Sequence, residues 1–243
     1  MFEVTIRNEL AQFRRADTRW LSTGWNGGER QADVAYNISV PEGWERTDID
    51  AYIDERLAAG NFDESGPALL TGVDMGHLRG ARLGPAVAYA TAGVSNPAAL
   101  PMEPVPSETN TEIPAAATDR QDVHNGQGNG TVNLIVGVDR QLSPAGRANL
   151  LTVVAEAKAA TLLGRVGIPG TTTDAVIVGN SPDGESVQFT GSATPVGDAV
   201  RACVRDALSA SLASRYEDEP MPQSLEEAEY GVTTDQQAEV FSP

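Results

Sequence analysis

The segment that organises the chain lies in its second half and starts with TVNLIVGV at residues 131–138. This run is almost wholly apolar, which is typical of a central strand with both faces covered. A helix follows, because Ser143 is a favoured N-cap residue and Pro144 suits the first helical position. Its body, ANLLTVVAEAKAATLL at 148–163, is apolar around nearly its whole circumference, so we expect a buried helix that ends near Leu163.

Shorter patterns continue this strand–helix unit toward both ends of the chain. Alternating or apolar runs predict further strands, the last two of them joined as a hairpin. These strands lie at 2–7, 19–23, 34–40, 68–73, 87–94, 174–179 and 185–190. Helical spacing predicts one helix at 48–59, capped by Thr47, and another that starts at Thr194 and Pro195. This order of elements favours a single α+β domain in which a mixed β-sheet packs against helices.

Two stretches differ in composition from the domain around them. Residues 97–130 contain five prolines, five acids and one base with almost no periodicity, which favours a solvated insertion over a lid. Residues 216–243 contain eight acids and no base, which is typical of a solvated, flexible tail. We therefore expect one domain at 1–215, interrupted by the insertion and followed by the tail.

The net charge argues against two classes of binding partner. The chain has 34 acidic and 17 basic residues, a net charge of −17, and Lys158 is its single lysine. A surface this negative repels nucleic acid and anionic membranes, and no run reaches the ~18 apolar residues of a membrane span. Because the N-terminus lacks a basic and then apolar leader, we expect a cytoplasmic protein. Its acid-rich, lysine-poor composition is what we expect of a halophile, with an ordinary acidic mesophilic protein as the alternative.

Cysteine and histidine usage argues against disulfides and metal sites. Cys203 is the single cysteine and lies on the apolar stripe of the last predicted helix, so we interpret it as a small buried hydrophobic residue. His77 and His124 stand in separate glycine-rich loops with no second ligand at metal-binding spacing. We therefore expect no metal site. The sequence indicates no oligomeric state.

Two charged residues on the apolar helix are the strongest candidates for chemistry. Glu156 and Lys158 are expected to be buried, and buried charges need a partner or a function. Two residues apart on a helix, they point about 200° apart, so each needs its own partner. Since every other base in the chain is arginine, Lys158 supplies a compact, titratable ammonium that arginine cannot replace. Alternatively, Lys158 extends its charge to water along an apolar surface.

Polar residues next to strands form a second set of candidates. They are Asp174 with the preceding Thr171, Thr172 and Thr173, the Asn26-Gly27-Gly28 turn, Asn96, and Asn133 inside the apolar strand. Turns and strand ends present such groups to ligands, and a buried carboxamide needs hydrogen-bond partners. Ordinary structural interpretations also exist: a loop capped by Asp174, a hairpin turn at Asn26-Gly27, and a turn before Pro97.

Five ordered motifs resemble the adenosylcobinamide amidohydrolase family of corrinoid salvage. They are Asn26-Gly27-Gly28, TAGVSN at 91–96, GTVNLIV at 130–136, AEAKAATL at 155–162 and TTTDAVIV at 171–178. FTGSATPVGDAVRACVRDAL at 189–208 is similar to the closing strand and helix of the family. The insertion and the acidic tail depart from the family pattern.

The resemblance implies hydrolysis of the amide between a corrin-ring propionate and aminopropanol. Adenosylcobinamide and water would give adenosylcobyric acid and 1-amino-2-propanol, and the acid can re-enter cobalamin (vitamin B12) biosynthesis. The corrinoid is then a small-molecule substrate, and no cofactor is expected. A corrinoid carrier or sensor that does no chemistry is the alternative.

Our own assignment of roles follows from the needs of amide hydrolysis, which are an activated nucleophile, a stabilised oxyanion and an acid for the leaving amine. We expect Glu156 or Asp174 to be the base for a water molecule, and Lys158 to stabilise charge or act as the acid. A hydroxyl nucleophile from the threonine turn is the rival mechanism. The residues expected to bind the substrate are Asn26, Gly27, Gly28, Asn96, Asn133, Thr171, Thr172 and Thr173.

We predict that folding requires high salt. Excess negative charge destabilises a compact chain, and molar salt shortens the Debye length to about 3 Å, which screens that repulsion. The melting temperature should therefore rise as KCl is raised from roughly 0.1 to roughly 3 M. A melting temperature that stays flat over that range contradicts the prediction.

Overall fold

A computed structural model describes residues 2–41, 44, 47–102, 130–222, 227–228 and 231–243. Within them the helices are α1 (Ile49–Ala59), α2 (Pro144–Val166) and α3 (Pro195–Arg215), with a short 3₁₀ helix at Met75–His77. The strands are β1 (Glu3–Arg7), β2 (Leu10–Ser22), β3 (Gly28–Ser39), β4 (Ala68–Thr71), β5 (Arg79–Leu83), β6 (Ala86–Ala92), β7 (Ala98–Ala99), β8 (Val132–Val138), β9 (Gln141–Leu142), β10 (Ala175–Asn180), β11 (Ser186–Val187) and β12 (Val232–Thr233).

Eight of these strands form a mixed sheet. Its order is β4-β3-β2-β10-β8-β6-β5, and β1 pairs with β2 outside this path. β8 is parallel to β10 and antiparallel to β6, and all its residues are buried. β3 and β4 are also parallel, whereas the other neighbours are antiparallel. The predicted α+β domain with a mixed sheet is confirmed, as is the inner position of TVNLIVGV.

The sheet folds back on itself, so that its two halves pack face to face. The β2–β3 pairing shifts register between Arg14 and Thr18, and such a bulge bends a strand pair. As a result, Asn133 of β8 donates a hydrogen bond to the Leu70 carbonyl of β4 at 2.9 Å, although three strands separate β4 from β8 in the sheet. Side chains from both halves fill the space between them, including Phe13, Trp20, Leu69, Ile135 and Ile177.

The helices cover the two outer faces of the folded sheet. α2 and α3 pack on the half that contains β6, β8 and β10. α1 packs on the other half, where Tyr52 and Leu57 join Tyr36 and Ile38 of β3. The four layers are therefore helix, sheet, sheet and helix, and α2 runs along β10 from Asn180, which Arg147 contacts, to Asp174, which Lys158 meets.

The helix boundaries follow the predicted capping residues with one exception. Ser143 caps α2 and Thr194 caps α3, each through its hydroxyl, and a proline follows each cap. α1 is capped by Asp48 and not by Thr47, because the Asp48 carboxylate accepts a hydrogen bond from the Ala51 amide at 3.1 Å.

The predicted hairpin between 174–179 and 185–190 is wrong. β10 lies inside the sheet between β2 and β8, and β11 pairs in parallel with β9 instead. The reason is burial, since most of β10 is buried, and an apolar strand buries more surface between two neighbours than at an edge. The sequence patterns also miss β5, whose sequence RGARL has no apolar alternation.

Most of the predicted 97–130 insertion lies outside the described residues, which resume at residue 130. Near its start, β7 pairs in parallel with β12 of the predicted tail. The division at 215 between domain and tail stays a prediction. Among the described residues, none of the helices has the length and apolarity that crossing a bilayer requires.

We predict that Cys203 resists thiol reagents in the folded protein. The residue is 2% exposed, and burial raises the pKa of its thiol. Since the thiolate is the reactive form, the native protein at about pH 8 contains less of it than a free cysteine does. A thiol-reagent titration in high salt should therefore be slow, and denaturation should release one rapidly reacting group. Rapid modification of the native protein would contradict the packing of α3.

Candidate active site

The candidate site lies at the edge of the sheet where β8 and β10 begin. These strands are parallel, so their first residues lie side by side. β6 and β2 run antiparallel to them and end at the same edge. The edge therefore collects the loops that follow β6 and β2 and the turn that precedes β10, which carry most of the predicted site residues.

Asp174 is the centre of the hydrogen bonding at this edge. Its Oδ1 accepts from the Val132 amide at 3.1 Å and from the Thr171 hydroxyl. Its Oδ2 accepts from the Thr171 amide at 3.1 Å and forms an ion pair with Lys158 Nζ. The Lys158 and Asp174 side chains are 15% and 10% exposed, so the two charges meet in a mostly dehydrated setting. The structure thus confirms that Lys158 is mostly buried and assigns its partner.

Gly170 allows the backbone to approach this ion pair. A Cβ atom at position 170 would lie 2.7 Å from Asp174 Oδ2 and 3.1 Å from Lys158 Nζ. The same turn is tied to the segment after β6 by a hydrogen bond from Thr172 N to Asn96 O at 3.1 Å. The threonines of the turn are therefore held beside the ion pair.

The three threonines of the turn differ in their surroundings. Thr171 is buried and bonded to the carboxylate, as described above. Thr172 Oγ1 accepts a hydrogen bond from Asn96 Nδ2 at 2.8 Å. Thr173 is exposed, with its hydroxyl 2.8 Å from that of Thr131. Asn96 is 7% exposed, and its buried Oδ1 has no hydrogen-bond partner among the described residues, so it keeps one unused acceptor.

Asn133 belongs to a buried chain of polar groups between the two sheet halves. Its Nδ2 donates to Asn37 Oδ1 at 2.8 Å and to the Leu70 carbonyl at 2.9 Å. Asn37 Nδ2 in turn donates to Thr91 Oγ1 at 2.9 Å. Successive residues of a strand point to opposite faces, so Asn133 faces away from α2. The structure does not bring this side chain to the ion pair, and its role in substrate binding stays a prediction.

The Asn26-Gly27-Gly28 turn is an exposed loop between β2 and β3. Gly28 has a φ of 111°, a conformation that favours glycine. Asn26 Nδ2 donates to Asp50 Oδ1 of α1 at 3.0 Å. The turn therefore lies at the same edge of the sheet as the ion pair, with the Asn26 side chain held by α1.

Trp25 is a candidate that the sequence patterns miss, because one tryptophan in a turn gives no periodic signal. After the last residue of β2, Thr23 N donates to Val176 O at 2.9 Å. β2 ends at Ser22, and the chain then bends at Gly24 and turns at Trp25 and Asn26. Trp25 is 41% exposed, and its Nε1–H donates to Asp50 Oδ1 at 2.8 Å. The loop that follows β2 therefore carries an exposed aromatic surface that is held by α1.

Glu156, like Asn133, is a predicted site residue that the structure does not bring to the ion pair. Its side chain is 55% exposed and lies 3.5 Å from Arg201 of α3, so the expectation that Glu156 is buried is wrong. The stretch around it is rich in alanine, which favours helices at exposed positions as well as buried ones. Ala155, for example, is exposed. The carboxylate that meets Lys158 is that of Asp174.

The chemical groups at this edge suit proton transfer and the stabilisation of negative charge. They include the Lys158 ammonium, the Asp174 carboxylate, hydroxyls and carboxamides. Within the described part of the chain, no group of three or more His, Cys, Asp and Glu side chains could hold a metal ion. His77 bonds to the Ser214 hydroxyl at 3.0 Å, and His124 lies outside the described residues. That the site needs no metal or cofactor stays a prediction.

Comparison with known proteins places the chain in a family. The sequence model of the adenosylcobinamide amidohydrolase family matches residues 6–220. The adenosylcobinamide amidohydrolase of Halobacterium salinarum is 49% identical over 245 residues, which cover 100% of both chains. The adenosylcobinamide amidohydrolase of Methanosarcina mazei is 27% identical over 213 residues, which cover 84% of this chain and 94% of the relative. The resemblance carried by the five motifs is confirmed, and the chain belongs to the adenosylcobinamide amidohydrolase family and is an amidohydrolase.

Proposed function

We propose that this chain hydrolyses the amide that joins a corrin-ring propionate to aminopropanol in adenosylcobinamide. The products are adenosylcobyric acid and 1-amino-2-propanol, and the acid re-enters cobalamin biosynthesis as corrinoid salvage. Family membership supports this substrate class. The observation that carries the chemistry is the Lys158–Asp174 ion pair, which is mostly buried beside a turn of threonines at the sheet edge.

In this proposal Asp174 and Lys158 divide the proton transfers of hydrolysis. Asp174 takes a proton from a water molecule as the water oxygen bonds to the amide carbon. Lys158 donates a hydrogen bond to the carbonyl oxygen as negative charge develops there, and it gives a proton to the nitrogen as the carbon–nitrogen bond breaks. Because Nζ and Oδ2 are in contact, the proton on Asp174 then passes to Lys158, which restores both groups.

The rival mechanism uses a hydroxyl nucleophile, and Thr171 is the threonine whose geometry suits it. Its hydroxyl donates directly to Asp174 Oδ1, as a nucleophile must to its base. However, Thr171 is only 7% exposed, so its attack on a bulky substrate requires the turn to open. We therefore favour water as the nucleophile. A covalent acyl-enzyme trapped and identified by mass would reject this choice.

The ion pair is tested by substitution of each partner. We expect Asp174→Asn and Lys158→Arg each to lower kcat by about 10²- to 10⁴-fold, the usual contribution of a positioned acid or base. Glu156→Gln, two residues away on the same helix, should stay within about twofold of the unsubstituted chain, as exposed substitutions usually do. The measurement is the mass of the corrinoid after incubation with adenosylcobinamide, with a melting curve for each variant.

Three results would revise this account. An unchanged corrinoid after incubation with the unsubstituted chain would favour a carrier or sensor. Loss of activity in Glu156→Gln with activity retained in Asp174→Asn would make Glu156 the base. Full turnover by Lys158→Arg would show that the reaction does not require a lysine ammonium at position 158.

We also propose that the exposed indole of Trp25 supports the corrin ring. Trp25→Ala should raise KM for adenosylcobinamide about tenfold, or ~1.4 kcal/mol, a magnitude typical of an aromatic contact. Trp25→Phe should retain most of the affinity, and kcat should change little in either variant. Phe189→Ala is a matched control, because Phe189 is also exposed but lies beside Thr190, which bonds Asn149 near the start of α2. Equal KM values for Trp25→Ala and Phe189→Ala would contradict this role.

A further inference from the structure

The C-terminal strand β12 lies beside the candidate active site. Val232 N donates to Pro97 O at 2.9 Å, and Thr234 N donates to Ala99 O at 3.0 Å. β12 and β7 are parallel, with Val232 opposite Ala98. Residues far apart in the chain are therefore joined by backbone hydrogen bonds at the segment that follows β6.

The other side of that segment contacts the turn that holds the ion pair. Ala98 N donates to Gly170 O at 2.9 Å, and Thr172 N donates to Asn96 O at 3.1 Å. A further bridge joins Pro97 and Thr171. Three extended pieces thus lie side by side in the order 170–172, 96–99 and 232–234. The middle piece carries Asn96, and the first carries the threonine that bonds Asp174.

The chain also returns to this region before β12 begins. Tyr216, directly after α3, accepts a hydrogen bond from the Val94 amide at 2.9 Å through its hydroxyl. The family match ends at residue 220, so β12 lies outside the matched part of the chain. Segment 96–99 is therefore bonded on one side to residues 170–172, which the family model matches, and on the other side to residues 232–234, which lie after the match.

We propose that β12 is a positioning element of the active site, which holds segment 96–99 so that Asn96 and the threonine turn are correctly placed for the corrinoid. This inference rests on the proposed function for its kinetic test. The ion pair has its own anchors in α2 and at the start of β8. Loss of β12 should therefore weaken substrate binding and leave the chemical step almost intact.

The experiment compares two proline variants of the full-length chain. Val232→Pro removes the N–H that bonds Pro97, whereas Thr233→Pro is the matched control, because alternate N–H groups of a strand point away from the partner strand. We expect Val232→Pro to raise KM for adenosylcobinamide by roughly five- to thirty-fold, as the loss of one or two backbone hydrogen bonds predicts. Its kcat should stay within about twofold, and Thr233→Pro should match the unsubstituted chain in both values.

Amide hydrogen exchange tests the same inference without activity. In Val232→Pro, the Ala98 and Thr172 amides should exchange faster than in Thr233→Pro, while the melting temperature stays the same. Equal KM values and equal exchange in the two variants would overturn the proposal. If the unsubstituted chain does not hydrolyse adenosylcobinamide, the proposed function fails, and the exchange of these two amides still decides the role of β12.

Discussion

The carboxylate of Asp174 holds together the elements that meet at the candidate site. One oxygen accepts the first amide of β8, Thr171 bonds both oxygens, and the second oxygen meets the ammonium of α2. Removing one partner of a buried ion pair leaves an uncompensated charge, at a typical cost of about 3–5 kcal/mol. The Asp174 side chain therefore fixes β8, β10, the threonine turn and α2 relative to one another. Segment 96–99, which is bonded to β12, lies next to the same turn.

Lys158, which forms the ion pair with Asp174, is the single lysine of the chain. Arginine supplies the remaining bases, and several form ion pairs with exposed acids, as Arg201, Arg205 and Arg215 do. Lys158 instead meets its carboxylate in a mostly dehydrated place. The proposed mechanism needs a group there that can give up a proton, and a guanidinium does not. Composition, packing and the proposed chemistry therefore agree on one residue.

Local signals in the sequence predict the elements that build the site, and non-local contacts account for what they miss. Ser143, Thr194 and the apolar run of β8 act within a few residues, so the starts of α2 and α3 and the inner strand are predicted correctly. The partners of β10, the return of the sheet on itself and the pairing of β12 depend on residues far apart in sequence. The exposure of Glu156 could not be predicted for a different reason. The alanines around it occur on exposed and on buried helix faces alike, so they do not show which face packs against the protein. The pairing of Lys158 with Asp174 depends on the turn before β10, which spacing alone does not reveal.

A crystal structure of the Asp174→Asn variant with adenosylcobinamide bound tests the role of the ion pair most directly. We predict that the carbonyl oxygen of the aminopropanol amide lies within hydrogen-bond distance of Lys158 Nζ, about 3 Å, with room for a water beside residue 174. A complex in which that amide lies at another edge of the sheet, out of reach of both residues, would contradict it.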